Sequence, residues 1–209
     1  NGARDAALDL GCYGAGISFG KDKMTERILI AGAGGQGVML LGKILAEAAM
    51  QEGNYTTWLP AYGAEVRGGT AYCAVIISDE KIGSPCIEKA DTVIVLNRPS
   101  MEKFRDRLKH AGTLIVNSTL VPPDAVTKNS AAQCPCTDIA MTLGNVRVAN
   151  MVALGYYAAL RKTVSIDTVL RSIDAIAPVN KKELVAINQK AVLEGARCAQ
   201  EALPRRMLL

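Results

Sequence analysis

Aromatic side chains are scarce in this sequence: two Phe, six Tyr and a single Trp, Trp58, among 209 residues. The core must therefore be packed mainly from Leu, Ile, Val and Ala. Long apolar runs are missing too. No stretch reaches the roughly 20 residues that a membrane helix needs, so no membrane partner is expected. The N-terminus lacks a basic segment followed by an apolar one, the mark of a secretory leader, and the cytoplasm is the expected compartment. The net charge is +4, yet the Lys and Arg are scattered and never interleave with aromatics. Nucleic acid is not an expected partner.

Metal-ligand patterns are also thin. Six cysteines stand at 12, 73, 86, 134, 136 and 198, with no CxxC among them, and Cys134-Pro135-Cys136 is the tightest pair. Cluster or zinc binding by this chain alone is disfavoured, and reduced thiols are expected. His110 is the only histidine. With Arg107, Lys109 and Gly112 around it, it reads as a residue of a helix end, capping or solvated rather than catalytic.

What is present is an alternation of strand and helix. Residues 1–23 are crowded with glycine and show no apolar period. They read as a flexible N-terminal extension to a domain spanning 24–209. Residues 28–31 (ILIA) form an apolar run suited to a strand buried on both faces. A helix is expected over 38–51, ended by Gly53-Asn54. Strands are expected at 55–59 (stopped by Pro60), 70–78, 92–96 and 113–116, with a long loop over 60–69. Pro99 marks the start of a further helix, and 121–135 reads as irregular or edge-like. Helices are expected at 137–143, 147–161, 165–176 and 181–202. The last carries Leu184, Ile187, Ala191, Gly195, Cys198 and Ala202 on one face. This order predicts an α/β fold: a three-layer, Rossmann-like, doubly wound and mostly parallel sheet with a helical C-terminal third.

Two segments carry the chemistry. Residues 32–37, GAGGQG, match G-x-G-x-x-G between a strand and a helix. Such glycines permit a tight turn and let a phosphate approach backbone N–H groups at a helix start. A plain tight turn without a ligand is the alternative. The second strand ends Thr57-Trp58-Leu59-Pro60, without the carboxylate that holds a dinucleotide ribose, so NAD is disfavoured. No Gly-Lys-Ser/Thr follows the loop, which removes the P-loop reading. A nucleotide-like group such as coenzyme A, or a diphosphate cofactor, is what remains. The second segment is YGAEVRGGT, residues 62–70, in which Arg67 either clamps an anion or pairs with Glu65 to brace the loop.

Taken in order, GAGGQG (32–37), YGAEVRGGT (62–70) and ISDEKIGSP (77–85) resemble the gamma subunit, or gamma domain, of the 2-oxoacid:ferredoxin oxidoreductases. The segments LNRPS (96–100), VNS (116–118) and Asn150-Met151 continue the likeness, which covers roughly 26–200. The YGAEVRGG and GSP forms look most like the 2-oxoglutarate and branched-chain 2-oxoacid types. The resemblance implies a multisubunit enzyme that oxidatively decarboxylates a 2-oxoacid to an acyl-CoA and passes electrons to ferredoxin. It implies alpha and beta partner subunits, with delta a further candidate, and allows a homodimer when the chain is isolated. Thiamine diphosphate, Mg²⁺ and iron–sulfur clusters are expected on those partners, so the chain has no catalytic residue of its own. Coenzyme A is expected here, with Gly34, Gly35, Gln36 and Gly37 approaching its phosphates. Tyr62 and Arg67 would border the same mouth, with Asn150 nearby. A stand-alone CoA- or nucleotide-binding regulatory module and a purely structural subunit are the competing readings.

Overall fold

A computed structural model of the chain describes residues 24–62, 70–125, 131–178 and 183–202. The expected extension at 1–23 and Arg67 both lie outside the described residues, as does the side chain of Tyr62. Strand β1 (Thr25–Ala33) is followed by helix α1 (Val38–Gln51) and strands β2 (Tyr55–Tyr62), β3 (Thr70–Ser78) and β4 (Ala90–Val95). Then come α2 (Arg98–Phe104), β5 (Leu108–Asn117), β6 (Ala132–Cys134), α3 (Cys136–Thr142), α4 (Ala149–Arg161), α5 (Ile166–Ile176) and α6 (Glu183–Ala202). The order within the sheet is β2-β3-β1-β4-β5-β6. Only β3 runs against the rest, since β1, β4, β5 and β6 pair in parallel and β3 is antiparallel to both β1 and β2.

Two expectations need correction. Pro60 does not stop the second strand, which continues to Tyr62 with Pro60 opposite Cys73. Because β2 is an edge strand, a proline without an N–H breaks no inner ladder there. His110 is not at a helix end: it lies exposed within β5, where the register against β4 shifts between Leu108 and Thr113.

The two helical layers on the sheet are of very unequal weight. Ile28 and Ile30 of β1 point to a thick layer made by α1, α3, α4, α5 and α6, while Leu29 and Ala31 point to a thin one built around α2. All four are fully buried, as an apolar run closed on both faces should be. Helix α2 carries Pro99 in its first turn, as expected, and is capped by Asn97, whose side chain accepts the Ser100 N–H at 3.0 Å.

Helix α4 is the centre of the thick layer, with residues 150–158 all buried. It crosses α6 almost backbone to backbone. A Cβ on Gly155 would sit 1.9 Å from the Val192 carbonyl oxygen, and one on Gly195 would sit 2.0 Å from that of Val152. That contact sets the rotation of α6. Its buried stripe runs through Val185, Ala191, Val192, Gly195, Ala196 and Ala199, and it leaves Leu184 and Ala202 of the expected face in solvent. At the other end of α4, Arg161 grips the buried Glu26 of β1 with two bonds, Nη2 at 2.7 Å and Nε at 3.0 Å. The same carboxylate accepts from Thr92 of β4 at 2.6 Å, and Arg161 also reaches Thr113 of β5 at 3.3 Å.

Two stability tests follow from these joints. Gly195→Ala should lose about 3 kcal/mol in chemical denaturation, since backbone blocks the new methyl on a rigid helix. Arg161→Met should lose a similar amount, about 3 kcal/mol, by leaving Glu26 charged and unpaired, and a Glu26→Met/Arg161→Met double variant should regain most of it.

Candidate functional site

The parallel strands end together, and their loops build the site. Open parallel sheets bind ligands outside the carboxyl ends of their strands, where consecutive crossovers leave to opposite faces. Here β1 leads to α1 on the thick side and β4 leads to α2 on the thin side. The crevice between them is formed by the glycine loop and by Leu96-Asn97.

The glycine loop is a closed turn held by its own glutamine. The Gln36 N–H donates to the Ala33 carbonyl at 3.1 Å, and the Gln36 Oε1 accepts the Ala33 N–H at 2.7 Å. Gly35 and Gly37 take left-handed conformations, with φ of +92° and +72°, which favour glycine. Gly32 is packed tightly, and a Cβ there would meet Val38 at 2.9 Å and Leu96 at 3.2 Å. Gly34 differs from all of these. Its φ is ordinary and, among the described residues, nothing lies within 4 Å of where a Cβ would stand. The first turn of α1 has neither a side-chain cap nor an acidic residue. No side chain of that turn therefore offsets its N–H groups and positive dipole end.

From below, the loop is locked to the thick layer. Asn150, 3% exposed in the first turn of α4, donates from Nδ2 to the Gly37 carbonyl at 3.1 Å. The same carbonyl accepts the Leu41 N–H at 3.0 Å to start α1.

Beside the loop lies a pocket of about 170 Å³, lined by Gly35, Gln36, Leu96, Asn117, Thr137 and Arg147 among others. Asn117, 2% exposed at the end of β5, uses its amide fully. It donates to the Leu96 carbonyl at 3.1 Å and to the Thr137 hydroxyl at 2.9 Å, and accepts the Thr137 N–H at 3.3 Å. Thr137 therefore keeps its own hydroxyl proton to offer. Arg147 is exposed at the mouth with no acidic partner among the described residues. Leu120 and Val146 complete the rim, 41% and 53% exposed. Two larger hollows, of about 600 and 380 Å³, open among α1, α4, α5 and α6, away from the glycine loop.

Of the residues named from the sequence, the structure brings Gly34, Gly35, Gln36, Gly37 and Asn150 together. Gln36 and Asn150 spend their amides on the loop itself: Gln36 braces it from the pocket side, and Asn150 holds it from beneath. Tyr62 ends β2 at the sheet edge where Ala33 ends β1, both lying opposite the start of β3. Asn117, Thr137 and Arg147 were not foreseen as site residues. The signal for Asn117 was legible as a polar residue ending the apolar run 114–116. Nothing local in the sequence marks Arg147.

A family model described as pyruvate ferredoxin/flavodoxin oxidoreductase matches residues 27–198. The chain belongs to this family. Among its relatives, the ketoisovalerate oxidoreductase subunit VorA of Methanothermobacter thermautotrophicus is 38% identical over 84% of this chain. The match spans only 36% of that relative, so the chain covers about a third of the length of VorA. The 2-oxoglutarate synthase subunit KorC of Methanothermobacter marburgensis is 32% identical, over 83% of this chain and its own full length. A keto/oxoacid ferredoxin oxidoreductase gamma subunit from Geobacter sulfurreducens superposes with a TM-score of 0.71 at 32% identity, covering 85% of this chain and 99% of that one. A 2-oxoglutarate:ferredoxin oxidoreductase from Magnetococcus marinus, solved with 2-oxoglutarate, coenzyme A and succinyl-CoA, shares the fold. Its TM-score is 0.78 at 24% identity, over 87% of this chain and 32% of that one.

The lock beneath the loop has a pH signature within this family fold. Asn150→Asp should destabilise the chain by about 2 kcal/mol at neutral pH, because a carboxylate then faces the Gly37 carbonyl. The loss should shrink as pH falls and the introduced carboxyl regains a proton to donate, which denaturation at pH 7.5 and pH 5 would read.

Proposed function

We propose that the chain is the gamma-type unit of a 2-oxoacid:ferredoxin oxidoreductase and that its glycine loop takes the phosphates of coenzyme A. The assembled enzyme converts a 2-oxoacid and coenzyme A to an acyl-CoA and CO₂, and two electrons go to ferredoxin. Thiamine diphosphate, held with Mg²⁺ on alpha- and beta-type partners beside the iron–sulfur clusters, supplies the carbanion chemistry of that reaction. Ketoisovalerate and 2-oxoglutarate, the substrates in the names of VorA and KorC, are the classes proposed for this enzyme.

The observation that carries the CoA reading is Gly34. Its backbone is unstrained and no atom of the described residues occupies the place of a side chain there, which leaves room for a ligand group. A phosphate drawn to the bare end of α1 occupies that space, as in other glycine loops. Arg147 and the Thr137 hydroxyl then serve it from the pocket side. On this reading Gly35 and Gly37 shape the turn, while Tyr62 and Arg67 close the mouth from the β2 side. At about 170 Å³ the pocket holds only part of such a ligand, since sites for whole ligands of this size run to about 300–1,000 Å³. The apolar rim of Leu120 and Val146 supports completion of the site by a partner subunit.

A purely structural role for the loop predicts something else, and one substitution separates the two. Gly34→Ala should leave the stability of the isolated chain unchanged within about 0.5 kcal/mol. In the assembled complex it should weaken coenzyme A at least tenfold, read by titrating the acyl-CoA-forming reaction. Arg147→Gln should weaken it by about tenfold as well, as expected for one lost charge-assisted contact. Unchanged CoA affinity in both variants would mean that the loop only packs.

A further inference from the structure

On the wall of the pocket beside the glycine loop, Gln36, Asn117 and Thr137 are held so that only hydrogen-bond donors are left over. A side-chain amide has an accepting end and a donating end, and its orientation follows from what each end meets. The Gln36 Oε1 accepts the Ala33 N–H at 2.7 Å, and that partner can only donate. The donating Nε2 is thus the free end, with no hydrogen-bond partner among the described residues. Asn117 is oriented in turn by the Leu96 carbonyl, which can only accept, at 3.1 Å from its Nδ2. The same Nδ2 donates to the Thr137 hydroxyl at 2.9 Å. That hydroxyl therefore accepts from Asn117 and has its proton to give elsewhere. No acceptor among the described residues takes it, although Thr137 is only 9% exposed.

Arg147 is the remaining polar residue of the lining, and a guanidinium carries donors and no acceptor. No Asp or Glu lines the pocket, and Asp138, the chain neighbour of Thr137, is not part of the wall. Among the described residues, the accepting oxygens of Gln36 and Asn117 both face backbone N–H groups, so the side chains that line the hollow offer donors alone.

We propose that this pocket is a phosphomonoester subsite, in which the Gln36 amide, the Thr137 hydroxyl and the Arg147 guanidinium donate to the free oxygens of one terminal phosphate. The proposal rests on the reading of the glycine loop as a coenzyme A site. On that reading the group received is the 3′-phosphate of the cofactor rather than its diphosphate.

Two features separate a monoester from a diphosphate here. A monoester presents three strong acceptor oxygens and about two negative charges, which gives each donor side chain an oxygen of its own. A phosphate within a diphosphate chain has fewer free oxygens to share. A monoester also ends the chain that carries it, so it can fill a hollow of about 170 Å³ from one side. A diphosphate would have to enter and leave the same small space. Groups that bring their own donors, such as an adenine amino group or an amide N–H, meet no free side-chain acceptor on this wall.

The test compares coenzyme A with dephospho-coenzyme A, which lacks only the 3′-phosphate, as substrates of the assembled complex. Wild type should need about a hundredfold more of the dephospho form for half-maximal acyl-CoA formation, as expected when a set of charge-assisted bonds is lost. Thr137→Val should raise the requirement for coenzyme A about tenfold and leave that for the dephospho form unchanged. Thr137→Ser, which keeps a hydroxyl, should stay within about threefold of wild type. Equal use of the two cofactors by wild type overturns the proposal without recourse to any variant. A Thr137→Val loss that is the same for both cofactors also overturns it and puts the diphosphate in the pocket. So does a loss read in the 2-oxoacid requirement instead, which puts the substrate carboxylate there. None of these results removes the glycine-loop reading, which fails if Gly34→Ala and Arg147→Gln both leave the coenzyme A requirement unchanged.

Discussion

The carbonyl oxygen of Gly37 is the point on which the site depends. It receives the Leu41 N–H that starts α1 and the Asn150 amide that reaches over from α4. Both bonds come from elements buried in the same thick layer, so the loop is anchored to the most densely packed part of the molecule. A left-handed φ at Gly37 directs the carbonyl there, and the same position has no room for a methyl group because Asn150 lies 2.3 Å from where it would be. Held rigidly from beneath, the loop can leave its upper side bare. That combination favours anion binding, since prealigned N–H groups need no reorganisation when charge arrives.

The lopsided layering serves the same end. The thin face needs only α2 and a short 3₁₀ turn, whereas the thick face stacks α4 between the sheet and its neighbouring helices. With Gly155 and Gly195 in backbone contact across the α4–α6 crossing, and Arg161 tied to Glu26 and Thr113, both the length and the far end of α4 are fixed. Its near end then delivers Asn150 to the loop. The distant ion pair and the helix crossing thus position the site although neither touches it.

Much of this was legible in the sequence, for reasons that differ by element. Strands β1 and β4 were plain because a short apolar run bounded by turns has few other uses, and α2 announced itself through Pro99. The GAGGQG turn was visible because glycine spacing reports backbone geometry directly. Pro60 misled because its effect depends on whether a strand lies at an edge, which is a property of the assembled sheet. His110 misled for a related reason, since the irregular stretch of β5 that holds it repeats no local pattern. Insertion of β3 between β1 and β2 was equally out of reach, as pairing partners are chosen by the whole fold. The site divided along the same line. Its loop glycines could be named, but Asn117, Thr137 and Arg147 come from separate segments joined only by topology. Asn150, expected near the loop, proves to hold the Gly37 carbonyl from beneath, a bond that nothing in the sequence marks, because a buried amide and a ligand-facing one look alike there.

An incomplete site accounts for features that would be liabilities in a free-standing binding module. Leu120 and Val146 expose apolar surface at the rim of a polar pocket, and the pocket holds only a fraction of a cofactor-sized ligand. A self-sufficient module would bury such side chains or use them to enclose its ligand. In VorA about two-thirds of the length lies beyond the matched region. Covering the rim would exclude water from around Arg147 and the bare end of α1, where a single cation and a helix dipole act more strongly than in solvent. The open loop and the apolar rim thus fit the proposed site together: the loop would offer backbone to an anion, and a partner surface would close over it.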